Sequence, residues 1–340
     1  MGCNLRDLAT PHPCELSDFS GARVAVDAFL VAYQFMTTIR ARREGEDGGP
    51  LTDDDGNPVS HLMGFLDRST TMVAAGIDPV FIFDGRPHEL KGDTLAERKQ
   101  RKQEAKEKWT AAVEAEDWTT AHKLGAQVVE FRPEMVAGTQ AMFDALGIAW
   151  IEAPMEAEGA AAVRCARGEL AGVASQDWDT LLYGAPVMVR NLLSHGSRRF
   201  GRPVRAERIY LQELLEEHGL THEQLVDLGI MIGTDFHPGV KGIGPKTGLK
   251  LIREHGTIEE VCQAKDKEVP ERLDEIRQLF LAHPTGDEPL PAAGMADEPR
   301  LRELLQEGHQ FSERRIQRAL DRLAEAGRVR QAGQTSLFDF

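Results

Sequence analysis

"VASQDWDTLL" (residues 173–182) sets a short apolar run against two aspartates, Asp177 and Asp179, placed on either side of Trp178. An extended chain points residues i and i+2 the same way, so a strand-like 173–179 would turn both carboxylates to one spot. Like charges that close repel and raise one another's pKa unless a cation sits between them. A solvated turn after a strand accounts for this pair equally well when it is taken alone. The rest of the chain has to choose between the two.

Three other apolar, β-branched runs also end near acids. "RVAVDAF" (23–29) ends at Asp27, "PVFIFDG" (79–85) at Asp84, and "IAWIEAP" (148–154) just before Glu156 and Glu158. A fifth run, "PVMVRNL" (186–192), carries no acid. Strands alternating with helical stretches predict an α/β fold, a central and mostly parallel twisted sheet flanked by helices. Ligands of such sheets bind beyond the carboxyl ends of the strands, so acids gathered there from four strands would face one crevice. Glu156 and Glu158 fit only at a helix start. In a regular helix residues two apart diverge by about 200°, and Pro154 just upstream marks such a start.

The chain has 340 residues, 41% of them hydrophobic, enough for one large domain with appendages or for two. Neither an apolar leader nor a run of membrane-spanning length is evident, and Arg6 stands where a myristoylation signal needs Ser or Thr. Cys3, Cys14, Cys165 and Cys262 are scattered without a CxxC pair, so neither a zinc site nor a disulfide frame is expected, and a cytoplasmic protein is. The net charge of −15 speaks against a nucleic-acid partner only if it is evenly spread, and two bound divalent cations would take −15 to −11. An acidic surface also fits a host with high internal salt.

The charge is in fact uneven. "LKGDTLAERKQRKQEAKEKW" (90–109) holds seven Lys/Arg against four Asp/Glu, in a stretch from 90 to 130 that reads as helical. "SRRFGRPVRAER" (197–208) holds five arginines and one glutamate, and a hairpin so charged suits a phosphate backbone. An exposed, salt-bridged helix explains the first run as well. Residues 44–58 read as a flexible acidic loop and 284–299 as a Pro/Gly-rich linker before helical patterning returns at 300–327.

"GTDFHPGVKGIGPKTGLKLI" (233–252) is the most specific internal signal. A helical pattern leads into Asp235, Gly242-Ile243-Gly244 makes a tight turn, and a second helix starts near Lys246. Glycines let backbone N–H groups approach a phosphate, and a helix N-terminus attracts anions. The segment resembles a helix-hairpin-helix, a clamp on the DNA backbone that ignores sequence. A P-loop does not fit, because Pro245 separates Gly244 from Lys246.

In order and spacing, "VDAFLVAYQF", "SHLMGFLDR", "PVFIFDGRPHELK", "LAERK", "EAPMEAEGAA", "SQDWDTLLYGAP", the segment just described, "QFSERRIQRAL" and the terminal "QTSLFDF" resemble the archaeal-type flap endonucleases, structure-specific 5′ nucleases. The resemblance runs over essentially the full length. It implies a nuclease part in residues 1–105 that starts a helical arch, and an internal part in 106–260 that completes the arch and carries the helix-hairpin-helix. A C-terminal helical region would follow in 261–330, and a sliding-clamp-binding tail in 331–340. It implies two Mg²⁺ ions, replaceable by Mn²⁺, held directly or through water by Asp27, Asp84, Glu156, Glu158, Asp177, Asp179 and Asp235, and a monovalent cation at the helix-hairpin-helix. Hard oxygen donors suit such ions. Lys91 and Arg98 match the family's catalytic basic pair, and their spacing of seven lets one helix aim both the same way.

Tyr33 matches an aromatic that stacks on a flipped base. Arg40, Arg68, Glu156, Gly233, Asp235, Gly242, Gly244 and Lys246 match DNA-contact positions. Gln334, Leu337, Phe338 and Phe340 resemble the sliding-clamp peptide, although the chain stops where a second terminal aromatic belongs. The function implied is a monomeric, magnesium-dependent 5′ flap endonuclease with 5′→3′ exonuclease activity, acting on branched DNA in Okazaki-fragment maturation and base-excision repair. A haloacid-dehalogenase-type phosphatase would need a second aspartate where Phe29 stands. A non-catalytic DNA scaffold would lack some of the acids.

Overall fold

The computed structural model describes residues 3–41, 46–199 and 201–328. In chain order the strands are β1 (His12–Cys14), β2 (Arg23–Asp27), β3 (Asp78–Phe83), β4 (Ala149–Glu152), β5 (Val173–Ala174), β6 (Val187–Arg190), β7 (Arg198–Arg199), β8 (Arg202–Pro203) and β9 (Ala206–Tyr210). The first helices are α1 (Ala28–Thr38), α2 (Ser60–Ala74), α3 (Gly92–Glu114), α4 (Trp118–Leu124), α5 (Pro133–Leu146), α6 (Ala157–Ala166) and α7 (Asp179–Leu182). They are followed by α8 (Leu211–His218), α9 (His222–Ile232), α10 (Pro245–His255), α11 (Ile258–Ala264), α12 (Leu273–Leu281), α13 (Glu298–Arg302) and α14 (Glu313–Glu325).

The β-branched runs form the sheet expected of them. Seven strands lie in the order β1-β9-β6-β5-β2-β3-β4, and β7 pairs with β8 as a separate hairpin. Strands β2, β5 and β6 run parallel, with Ala25 opposite Val173 and Val173 opposite Met188. Strand β9 runs antiparallel both to β6 and to β1. Val24, Val26, Val173, Val189 and Ile209 are buried on this sheet, and full burial of each such side chain stabilises by about 1.5–3 kcal/mol. The order turns at β2: β3 and β4 continue on one side, β5 and β6 on the other. That reversal is the switch point at which open α/β sheets offer a crevice beyond the strand ends.

Of the two readings of 173–179, the structure shows the turn after a strand. Residues 173–179 are not one strand. Strand β5 stops at Ala174, and Asp179 is already the first residue of α7. Two side chains end the ladder: Ser175 Oγ accepts the Asp177 N–H at 3.0 Å, and Asp177 Oδ1 accepts the Asp179 N–H at 3.2 Å. Ser and Asp offering their own oxygens to nearby N–H groups compete with strand pairing in this way.

The chain divides into two compact units, one of Met1–Ala28, Ile82–Arg98 and Ile151–Pro289, the other of Phe29–Phe81, Lys99–Trp150 and Leu290–Phe340. In the second, Phe81 stacks on Phe143 with centroids 4.2 Å apart, and Phe65 meets both edge-on at 5.5 and 5.3 Å. Arg322 of α14 donates to Asp67 Oδ1 of α2 at 2.8 Å. Among the described residues no helix is long and apolar enough to cross a membrane.

Phe143→Ala should destabilise the protein by about 3–5 kcal/mol, the cost of emptying a well-packed aromatic site. Urea unfolding followed by tryptophan fluorescence measures it, and Phe143→Leu should cost markedly less.

Candidate active site

Each strand end delivers its acid by a different local device, and all of those below lie in the first unit. Asp27 closes β2 and is buried. Asp84 follows β3, and its Oδ1 accepts the Ala157 N–H at 2.8 Å, which satisfies one of the open donors at the start of α6. Glu156 is the N-cap residue of α6 and Glu158 lies in its first turn. The pair therefore sits at a helix start, as the proline pattern predicts. Glu158 Oε1 accepts from Ser175 Oγ at 2.5 Å and from Thr180 Oγ1 at 3.4 Å. Asp179 Oδ1 accepts the Cys3 N–H at 2.7 Å.

Gly85 joins two of these devices. Its N–H donates to Met155 O at 2.7 Å, and a Cβ there would lie 2.0 Å from Ala153 O. Only a residue without a side chain lets the Asp84 loop lie this close to the loop that leads into Glu156.

The carboxylates feel one another. Burial pushes the Glu158 carboxyl well above its usual range, with Asp177 and Asp27 adding to it. Asp179 rises to about 8, first through burial and then through Asp177. Asp84 rises to about 6 and Asp177 rises too, burial leading in both. Asp235 differs: it stays below the ordinary range in spite of its burial, with Arg98 and Lys91 as cationic neighbours.

Those two cations supply the positive side. Lys91 ends a short 3-10 turn, Glu89–Lys91, that runs directly into α3, where Arg98 lies. The Lys91 ammonium bonds Glu156 and stands 3.7 Å from Asp235 Oδ2 and 5.4 Å from the centre of the Phe236 ring. Arg98 Nη2 donates to Asp235 Oδ1 at 2.6 Å, and Thr94 Oγ1 donates to Asp235 O at 2.8 Å. Arg272 ties the turn down by pairing with Glu89 and, at 2.6 Å, with Glu275. Burial opposes the charge on Lys91, but Glu156 and Asp235 outweigh it and keep the ammonium protonated.

The donor set fits hard cations: it is all oxygen, with neither nitrogen nor sulfur, and its buried like charges need positive compensation. Among the described residues no three or more His, Cys, Asp or Glu side chains close on one point as they stand. Lys91 supplies positive charge next to Glu156 and Asp235.

Composition and spacing do not reveal Cys3, Ser175, Thr180, Thr94, Phe236 or Gly85. Gly85, Thr180 and Phe236 directly follow Asp84, Asp179 and Asp235, which is the one signal that could draw attention to them.

The helix-hairpin-helix is formed in the same unit. Gly242 has φ +88°, and Gly244 is the N-cap of α10, with Pro245 in its first turn. Lys246 is exposed, 3.8 Å from Asp7. Gly233 caps α9 at φ +116°. In the second unit, Tyr33 is exposed on α1. Arg40 donates from Nη1 to Gly48 O and His122 O at 3.0 and 2.9 Å, and Arg68 Nε stands 3.8 Å from Asp67 Oδ2. Gln334, Leu337, Phe338 and Phe340 lie outside the described residues.

The XPG N-terminal domain matches residues 4–105 and the XPG I-region residues 147–235. Lys91, Arg98 and all seven acids fall within these two stretches. The flap endonuclease 1 of Aeropyrum pernix is 38% identical over 350 residues, covering 100% of this chain and 99% of that protein. The flap endonuclease 1 of Methanosarcina acetivorans is 40% identical over 337 residues, covering 97% and 98%. This chain belongs to the flap endonuclease 1 family. The structure agrees: the flap endonuclease-1 from Methanococcus jannaschii superposes with a TM-score of 0.76 at 32% identity, over 96% of this chain and 98% of that one. The catalytic core of Rad2 in complex with DNA substrate shares the fold at 22% identity, with a TM-score of 0.70. The enzyme is a structure-specific nuclease of the flap endonuclease kind, with the family's place in DNA replication and repair.

Gly85→Ala should slow single-turnover cleavage by about 100-fold, the scale of loss for a displacement of roughly 1 Å in reacting groups. Rapid-quench kinetics on a labelled 5′ flap, with binding measured in parallel, checks that the dissociation constant changes far less.

Proposed function

We propose that the acids at the strand ends form the hydrolytic centre of this 5′ flap endonuclease, with Asp27, Asp84, Glu156, Glu158, Asp177, Asp179 and Asp235 as the donors for two Mg²⁺ ions. One observation carries the reading. Buried carboxylates that raise one another's pKa are set against two cationic side chains at a sheet switch point. Divalent-metal dependence is general in the family. Held by these carboxylates, such ions would withdraw charge from a phosphate and from the attacking water.

The protein's own groups do the rest. Without positive charge, the carboxylates would repel a phosphodiester, so cleavage waits on cations. Lys91 and Arg98 hold their charge at the edge of the acids. Turned from Glu156 and Asp235 to a phosphate oxygen, they would offset the negative charge that grows as water oxygen joins phosphorus and the leaving oxygen departs. Ser175, Thr180 and Cys3 fix the orientation of Glu158 and Asp179 beforehand.

The DNA is held at other positions. Gly242, Gly244 and Lys246 offer backbone N–H groups and an ammonium to phosphates, with a monovalent cation bound beside them, and Gly233 sets the turn before them. Tyr33, Arg40 and Arg68 add stacking and phosphate contacts. The terminal "QTSLFDF" docks on a sliding clamp through Gln334, Leu337, Phe338 and Phe340, a few apolar anchors carrying such contacts. The protein acts as a monomer.

Three results test this reading. Asp179→Ala should reduce Mg²⁺-dependent cleavage at least 1,000-fold (an order-of-magnitude expectation) while flap binding in Ca²⁺ stays near that of the parent; fast turnover would rule the ligand out. Arg98→Ala should lower the single-turnover rate far more than it raises the dissociation constant, as for a group that acts on the transition state. Removing residues 334–340 should leave cleavage by the isolated enzyme unchanged and abolish stimulation by the clamp. Calorimetry that finds equal clamp binding with and without the tail would place the docking surface elsewhere.

A further inference from the structure

The first turn of α6, which carries Glu156 and Glu158, rests on a histidine that the preceding reading does not use. His283 follows α12 and is 5% exposed. Its ring lies against Gly159: a Cβ at that position would stand 2.4 Å from the ring Cδ2 and 2.5 Å from Cγ. The ring also faces the Glu156 backbone. Its Nδ1 stands 3.3 Å from Leu279 O. Its Nε2 is buried and, among the described residues, has no hydrogen-bond partner. Tyr183 packs edge-on against it with centroids 4.9 Å apart, and Phe280 backs Tyr183 at 4.8 Å.

This is a poor way to build an ordinary core. A buried imidazole nitrogen without a partner costs stability that an aliphatic side chain of the same size would not. Gly159 gives up helix propensity to make the room. Both costs meet where the ring and the first turn of α6 touch, and that turn holds two of the acids. The ring meets it at Gly159, the residue directly after Glu158. The ring thereby stands between this turn and the segment that follows α12.

We propose that His283 is a positioning residue for the Glu156–Glu158 turn, with Gly159 as its fitted socket. The inference rests on the reading of these two glutamates as cation donors. The ring acts by shape and contact, so its removal should loosen cation binding before it weakens anything done to DNA.

The test uses full-length His283→Ala, His283→Asn, Gly159→Ala and the double variant Gly159→Ala/His283→Ala. Mn²⁺ binding without DNA, followed by electron paramagnetic resonance of the free ion, is the first readout. The Mg²⁺ dependence of single-turnover cleavage is the second. His283→Ala should weaken Mn²⁺ binding and raise the half-saturating Mg²⁺ by roughly tenfold, the low end of what loss of an outer support costs a metal site. Excess Mg²⁺ should restore most of the rate, and the dissociation constant for flap DNA in Ca²⁺ should change less than about twofold.

Gly159→Ala should do the same through its clash with the ring. The double variant should recover most of the loss, because the added methyl then occupies the space the ring leaves. His283→Asn keeps a planar polar group and should fall between parent and His283→Ala, which keeps the test open if the alanine variant does not fold. Cation binding unchanged in the folded variants, with only the melting temperature lowered, would overturn the proposal. So would strictly additive losses in the double variant. Glu158→Gln separates the two readings: if it binds Mn²⁺ as the parent does, the donor assignment itself fails, whatever the His283 variants show.

Discussion

Like charge brought out of water at the ends of parallel strands has to be compensated, and most of the first unit is arranged around that demand. A sheet that buries Val24, Val26 and Val173 on its strands leaves their ends in low dielectric. Acids there pay for lost hydration and for one another's field. Asp179 and Asp84, at about 8 and about 6, show the size of that strain. Compensation comes from three sources: backbone N–H groups of Cys3 and Ala157, the hydroxyls of Ser175 and Thr180, and the charges of Lys91 and Arg98. Each is short-range, so each fixes geometry as well as charge.

These supports also link segments that are remote in the chain. Asp84 caps the helix on which Glu156 and Glu158 lie, and Gly85 presses its loop against the lead-in to that helix. The end of β3 and the start of α6 therefore move together. Asp235 is tied through Arg98 and Thr94 to the start of α3. The start of the basic helix is thus joined to the acids through Asp235.

Much of this was legible in the sequence. Buried strands show as β-branched runs, and an acid at the end of each of four such runs is a pattern that surface loops do not produce together. Pro154 gave away the helix start, and the glycines of 242–244 the hairpin. What was not legible depends on contact across the fold. The Cys3 amide on Asp179 is a backbone donor from 176 positions away and leaves no trace in residue type. Gly85 and Gly159 read as ordinary loop and helix glycines until the neighbouring backbone or ring is in place. The choice between strand and turn at 175–179 was not legible either, because Ser175 and Asp177 end the strand with their own side chains, a local competition that apolar patterning does not register.

The ammonium of Lys91 among the acids has a consequence for how the protein lives before it works. The chain carries its own counter-ion. An ammonium held this close to the carboxylates lets the acids lie together at the strand ends while the core closes around them. Chelation should therefore disarm the nuclease without dismantling it.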